Sequence, residues 1–248
     1  MYKKDCLTSK KYWEKVWSNS RPEKIFHSIA CYFDFINNSK KISTAIELGG
    51  YPCRYLIYLK KKFNYKISCI DYVIKEVYLK KLFKENNLNL NRDIKLINKD
   101  INTNIKINKK FDLVYSLGLV EHFISLDYII KKHCYFLKKN GVIFFTMPNL
   151  CGLNGFIMKL FDKETYEKHN IKSMNLEKIK KILKKQNLEL NLIEYADDHG
   201  VYLTNLDNKN LFLRFFIKTI HIFTQVITLF FLKKNKFFSN HIICIATK

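Results

Sequence analysis

Arginine is almost missing from this sequence. Of its 44 basic residues only Arg21, Arg54, Arg92 and Arg214 are arginines, and the other 40 are lysines. A formal net charge of +22 would suit phosphate neutralisation and counterion release. Base-edge readout and bidentate phosphate recognition, however, use the planar fork of arginine, which lysine cannot imitate. Asn, Ile, Phe and Tyr are abundant beside lysine, as expected of drift in an AT-rich genome, so nucleic acid is not the favoured partner. The basic surface then acts through solubility and steering, and would draw in an anionic small substrate.

Glycine and proline are also scarce, at seven and three residues, while aromatics reach 15%. That balance excludes disorder and low complexity. No G-x-G-x-x-G turn occurs: counted from Gly49, the later glycine positions hold Tyr51 and Arg54. The pyrophosphate turn of an NAD-type dehydrogenase is therefore absent. The seven cysteines are odd in number and contain no C-x-x-C pair, which argues against a disulfide framework and a zinc site. Several lie in apolar runs and read as small core residues. Met1-Tyr-Lys-Lys-Asp leads into polar aromatic sequence without a signal-peptide apolar region, so a cytoplasmic location is expected.

With 248 residues, 48% of them hydrophobic, the chain can form one domain around a sizeable core. Residues 1–40 read as a helical cap, with Tyr12, Trp13 and Trp17, then Ile25, Ile29, Phe33 and Ile36, near helical spacing. From Ser43 the texture changes to short apolar runs alternating with lysine-rich amphipathic stretches. Strands are predicted over 44–48, 66–70, 94–97, 111–115 and 142–146, with helices over 54–62, 74–84 and 126–137. Such alternation predicts an α/β fold with a parallel sheet and right-handed crossovers. Residues 150–175 and 196–240 are expected on the substrate side. They enclose a helix over 176–186 and a strand over 188–195, and a closing strand begins at His241.

The run over 211–232 is apolar enough to raise the question of a membrane span. Arg214, Lys218, His221, Gln225 and Thr228 fall at spacings of four and three, making one polar stripe, and charges inside a span are costly. A transmembrane reading is rejected. A cap helix packed on the domain or in a homodimer interface is favoured over a membrane-surface helix.

The most informative segment is Thr44-Ala-Ile-Glu-Leu-Gly-Gly-Tyr-Pro-Cys-Arg, an apolar strand, an acid and a glycine turn entering a helix. It resembles motif I of the class I S-adenosylmethionine-dependent methyltransferases, although the further glycines of that motif are replaced by Tyr51 and Cys53. Glycine lets backbone approach a bulky ligand and take positive φ. The resemblance gives that role to Gly49 and Gly50, and sets Glu47 toward the cationic methionine end. Twenty residues on, the strand ending at Asp71 suits ribose recognition, with Tyr72 beside the adenine. Asp100 and Ile101 end a third strand where the family meets the adenine amino group. The segment from Phe111 to His122 resembles motif IV, and implies that the Ser116 and Leu117 backbone lines the methionine arm. Lys139-Asn-Gly-Val-Ile-Phe-Phe-Thr-Met-Pro-Asn resembles the fifth strand. The implied fold is Rossmann-like, with a mostly parallel seven-stranded sheet and helices on both faces. The implied cofactor is S-adenosyl-L-methionine.

Methyl transfer from a sulfonium is an in-line displacement, so alignment and water exclusion dominate. A neutral nucleophile also benefits from a base. His122 and His169 are the candidates, with His199 a weaker third. Asp197-Asp198-His199 reads as turn chemistry rather than a metal fragment, because adjacent aspartates do not share a face; no metal is assigned. The flanks resemble small bacterial methyltransferases of surface-glycan pathways. O-methylation of a sugar or a small phosphorylated precursor is therefore expected. RNA, a quinone or lipid acceptor, and a non-catalytic cofactor-binding protein remain as alternatives.

Overall fold

The computed structural model describes residues 5–19, 27–107, 109–196, 201, 203, 206, 209–231 and 234–248. Two N-terminal helices, α1 (Lys10–Asn19) and α2 (His27–Ser39), precede β1 (Thr44–Leu48), α3 (Arg54–Phe63) and β2 (Lys66–Asp71). Then follow α4 (Glu76–Glu85), α5 (Leu90–Asp93), β3 (Ile94–Asn98), β4 (Phe111–Leu117), α6 (Leu126–Phe136) and β5 (Leu137–Pro148). The last part comprises α7 (Leu153–Phe161), α8 (Lys163–Glu167), α9 (Leu176–Lys185), β6 (Glu189–Ala196), α10 (Leu211–Phe231) and β7 (His241–Thr247).

The seven strands form one sheet in the order β3-β2-β1-β4-β5-β7-β6. β1 pairs in parallel with both β2 and β4, whereas β7 lies antiparallel between β5 and β6. β1 is buried throughout, and the central strands read as nearly continuous apolar runs because both sheet faces are covered. Alternate residues serve opposite faces. Ile46, Val114, Ile143 and Phe145 pack with α6, α7, α9 and α10. Ala45, Leu113, Tyr115 and Phe144 pack with α2, α3 and α4. On that second face Phe33 meets Tyr115 and Phe144 edge-on at 5.0 Å each. Such contacts add roughly 0.5–1.5 kcal/mol apiece beyond burial.

Local chemistry sets several boundaries. The Ser125 hydroxyl accepts from the Tyr128 N–H and starts α6, and the Asn175 side chain does the same for α9 through Lys178. At the amino end of the sheet, Asp112 accepts from the Ser43 and Thr44 N–H groups and hydroxyls and meets Lys138 at 2.8 Å. Burial opposes its charge, but Lys138, Thr44 and Ser43 hold the carboxyl well below the ordinary range.

Three features differ from the sequence reading. Residues 150–175, for which no elements were predicted, form α7, α8 and a short 3-10 turn at Ile171–Ser173. β5 is twelve residues long because its beginning continues directly from α6. α10 packs on the body through Leu213, Ile217 and Ile220, yet its other side leaves Leu211, Phe212, Phe215 and Phe223 exposed. No helix among the described residues is long and apolar enough to cross a membrane.

Candidate functional site

Strand order reverses between β1 and β4, and open α/β sheets hold ligands outside the carboxyl ends of their strands at such a point. The chain leaves β1 through Gly49, whose φ of +68° is the left-handed conformation that glycine tolerates best. A Cβ on Gly49 would come 2.8 Å from Leu119 Cδ1, and one on Gly50 would come 2.8 Å from Glu47 Cβ and Cγ. The positive φ favours glycine at Gly49, and the buried stem of Glu47 leaves no room for a side chain at Gly50. Cys53, where the family motif has another glycine, takes φ 69° as a fully buried side chain before α3 begins. The turn geometry is thus kept with a different residue.

Over this turn lies a cavity of about 260 Å³, bounded by Glu47, Gly49, Gly50, Asp71, Tyr72 and Leu117, with Gly118 and Leu119 behind. Trp13, Trp17 and Arg54 complete its wall. A narrower hollow of about 30 Å³ adjoins it, sharing Trp13, Gly49, Asp71, Tyr72 and Leu119, and adding Asp100, Ile101 and His122. The N-terminal segment is fastened there by the Leu7 N–H donating to the His122 carbonyl, and by the Trp13 indole donating to Thr8 Oγ1.

The acids are poised differently. Asp71 is 7% exposed and accepts the Val73 and Tyr51 N–H groups at 2.8 and 3.1 Å. Burial pushes its carboxyl up to about 6 against those donors. Glu47 accepts the Tyr115 hydroxyl at 2.9 Å. Burial lifts it to about 8, while Tyr115 and then Arg54 pull the other way. Asp100 accepts the Asn102 N–H and side-chain amide at 2.9 and 3.0 Å. Neither Asp71 nor Asp100 caps a helix: each closes a turn two residues long, and each keeps lone pairs for a ligand. A tight glycine turn rimmed by the carboxyl groups of Glu47, Asp71 and Asp100, with Asp71 and Asp100 keeping lone pairs free, fits the ribose and adenine of a nucleoside such as S-adenosylmethionine.

The two candidate bases meet in space. His122 and His169 have ring centroids 4.8 Å apart, and Trp13 sits edge-on to His122 at 5.2 Å. His122 Nδ1 lies 2.8 Å from the Lys168 carbonyl and His169 Nδ1 lies 2.7 Å from the Thr165 carbonyl. A carbonyl can only accept, so both Nδ1 atoms carry the proton and both Nε2 atoms keep a lone pair. Burial, then the neighbouring His169, lowers His122 to about 3; burial also lowers His169. Both rings are neutral near pH 7. Glu121 is 1% exposed, is pushed up to about 8 by burial, and has no partner for Oε2 among the described residues. Donor atoms of Glu121, His122 and His169 lie within 4.8 Å of one another, a group that could draw together around a metal ion. Nothing in the sequence was reason to assign a metal, and Glu121 was not among its candidate residues.

Ser116 was expected to line the methionine arm through its backbone. Ser116 is fully buried, does not border the cavity, and hydrogen-bonds His133 Nε2 at 2.9 Å. His133 on α6 draws it into the core, and Leu117, Gly118 and Leu119 line the site in its place. Asp197, Asp198 and His199 lie outside the described residues. Trp13, Trp17, Arg54, Leu119 and Glu121 were missed as site residues. The Trp13/Trp17 pair at helical spacing was the available signal, but it equally suits a core stripe.

The sheet order and the single reversed strand are those of the Rossmann-like methyltransferase fold. No family model matches the chain. A curated relative, the ubiquinone biosynthesis O-methyltransferase of Pelagibacter ubique, is 40% identical over 45 residues, which is 18% of this chain and 19% of that protein. The match spans about a fifth of the relative's length. Among solved structures, the chain is similar to a SAM-dependent methyltransferase from Archaeoglobus fulgidus, with 18% identity and a TM-score of 0.56, covering 95% of this chain and 98% of the other. It is also similar to the plantazolicin methyltransferase BpumL, in complex with a triazolic desmethylPZN analog and SAH. There the identity is 13% and the TM-score 0.55, over 89% and 82% of the two chains.

Proposed function

We propose that this chain, acting as one methyltransferase domain with its first forty residues as a cap, transfers a methyl group from S-adenosylmethionine to the hydroxyl of a small acceptor. The observation that carries this reading is the glycine cradle at Gly49 and Gly50, rimmed by Glu47, Asp71 and Asp100 beside two neutral histidines. When bound, the cofactor supplies an activated methyl group. Asp71 accepts the ribose hydroxyl protons, Tyr72 and Ile101 flank the adenine, and Asp100 meets its amino group. Glu47 and the Leu117 backbone face the methionine arm, and Trp13 and Trp17 exclude water. His122, through its unprotonated Nε2, takes the acceptor proton, with His169 beside it to pass the proton outward.

A sugar or a small phosphorylated precursor of a surface glycan is the acceptor class we put first, because the lysine-rich surface favours anionic ligands. A quinone precursor is the second reading, favoured by the short match to the ubiquinone enzyme and by the exposed apolar side of α10. The cofactor with each acceptor class, assayed for release of S-adenosylhomocysteine, separates the two. Turnover on a phosphorylated sugar supports the first, and turnover only on a phenolic quinone precursor replaces it with the second. Full cofactor affinity with no turnover on any hydroxyl acceptor would overturn the enzymatic reading.

A further inference from the structure

The outward side of α10 takes no part in the cavity at the β1/β4 switch. Phe212 is 80% exposed and Phe215 is 72% exposed, and Ile222 and Phe223 continue the same apolar surface along the helix. α7 extends it sideways: Phe161 meets Phe216 edge-on at 6.1 Å, and Phe156 and Leu160, four residues apart on one helix face, are both exposed. Large apolar side chains gathered this way exceed the scattered exposure normal for a protein surface. The opposite side of α10 is occupied, since Ile217 and Thr224 are buried seven residues apart and Leu213 and Ile220 pack on the core. The helix therefore lies flat along the body, with one side on protein and the other facing out.

Charge decides what covers it. The chain carries +22, so two copies brought face to face would repel, whereas an anionic surface would attract each of them. Lys218 is exposed within the apolar patch itself, and Lys159 is exposed on α7, giving long stems that can lie along apolar surface while their ammonium groups reach anionic headgroups. We propose that the outer face of α7 and α10 docks on the surface of an anionic lipid bilayer, with Phe212, Phe215 and Phe223 entering the headgroup region and α10 parallel to the membrane plane.

Sedimentation of the full chain with vesicles tests this. The chain is expected to bind phosphatidylcholine vesicles containing 30% phosphatidylglycerol at least tenfold more strongly than vesicles of phosphatidylcholine alone, and to be weakened by 0.5 M salt. The triple variant Phe212→Ser, Phe215→Ser, Phe223→Ser, with unchanged circular dichroism and cofactor affinity, is expected to lose at least tenfold in partitioning. Equal binding of the variant to anionic vesicles overturns docking through this face, as does no binding by the parent chain. A concentration-dependent dimer in analytical ultracentrifugation that the same variant abolishes, without vesicle binding, assigns the face to a second copy and also overturns the proposal.

Discussion

Replacing Gly50 with alanine tests the cradle through a single methyl group. The added Cβ would lie 2.8 Å from both Cβ and Cγ of Glu47 and 3.0 Å from its Cδ. Glu47 cannot easily retreat, because it is buried at the end of β1 and held by the Tyr115 hydroxyl. Overpacking of this kind costs roughly 1–3 kcal/mol. Taking about 2 kcal/mol, a chain of this size loses roughly 4–8 °C in Tm. Displacing Glu47 also disturbs the cofactor side of the turn, so affinity should fall at least about tenfold, or 1.4 kcal/mol. Thermal unfolding and isothermal titration measure the two effects. Leu119→Ala provides the specificity control: it removes the Cδ1 atom that a Cβ on Gly49 would strike, so it should partly rescue Gly49→Ala and leave Gly50→Ala unrescued. A Gly50→Ala protein with parental Tm and affinity would refute the close approach on which the cradle rests.

Three further outcomes follow from the site and its supports. His122→Gln should leave cofactor affinity unchanged and lower kcat roughly 10²–10⁴-fold; because His122 is neutral down to about pH 3, the parental rate profile should show no limb near pH 6.5. The stability of the free protein should depend on pH in a defined window. Glu47 and Glu121, both lifted to about 8, keep protons that the unfolded chain has released, so they erode stability as pH rises toward 8. His122 and His133, lowered by burial to about 3 and about 4, act in the opposite direction up to about 6.5, so the loss should be cleanest between pH 6.5 and 8, followed by chemical denaturation. Asp112→Ala should cost about 2–3 kcal/mol by removing charged hydrogen bonds at the foot of β1 and β4; since the folded carboxyl is depressed, its contribution is present above the ordinary Asp range and disappears as pH falls through the folded value, which acid unfolding reads.

The rim of the proposed cofactor site was legible because each part of it follows a short strand of the parallel sheet. Gly49, Asp71 and Asp100 stand at the ends of three apolar runs, and a parallel sheet carries such ends to one edge. The same logic led to His122. What local sequence could not show is the outcome of competition between partners far apart in the chain. Ser116 follows the right strand, but His133 on the next helix binds its hydroxyl. Glu121 stands beside a histidine with nothing in its local sequence to mark it as buried, and the Asn170 N–H, far along the chain, donates to its carbonyl. Trp13 and Trp17 cover the cavity because the segment before them pairs with the chain after His122, through a bridge between Cys6 and Phe123. Nothing in the spacing of the first twenty residues encodes that return. The position of β7, last in sequence yet between β5 and β6, is likewise set by its antiparallel pairing with both, and the apolar character of its residues alone does not specify it.

Titration of S-adenosylmethionine into the parent chain and into Asp71→Ala addresses the assignment of the site most directly. One cofactor should bind per parent chain, and the variant, folded by circular dichroism, should bind at least tenfold more weakly because the ribose loses its carboxylate. Equal affinity in the two proteins, or no binding by the parent, would contradict the placement of the nucleoside at the carboxyl ends of β1, β2 and β4.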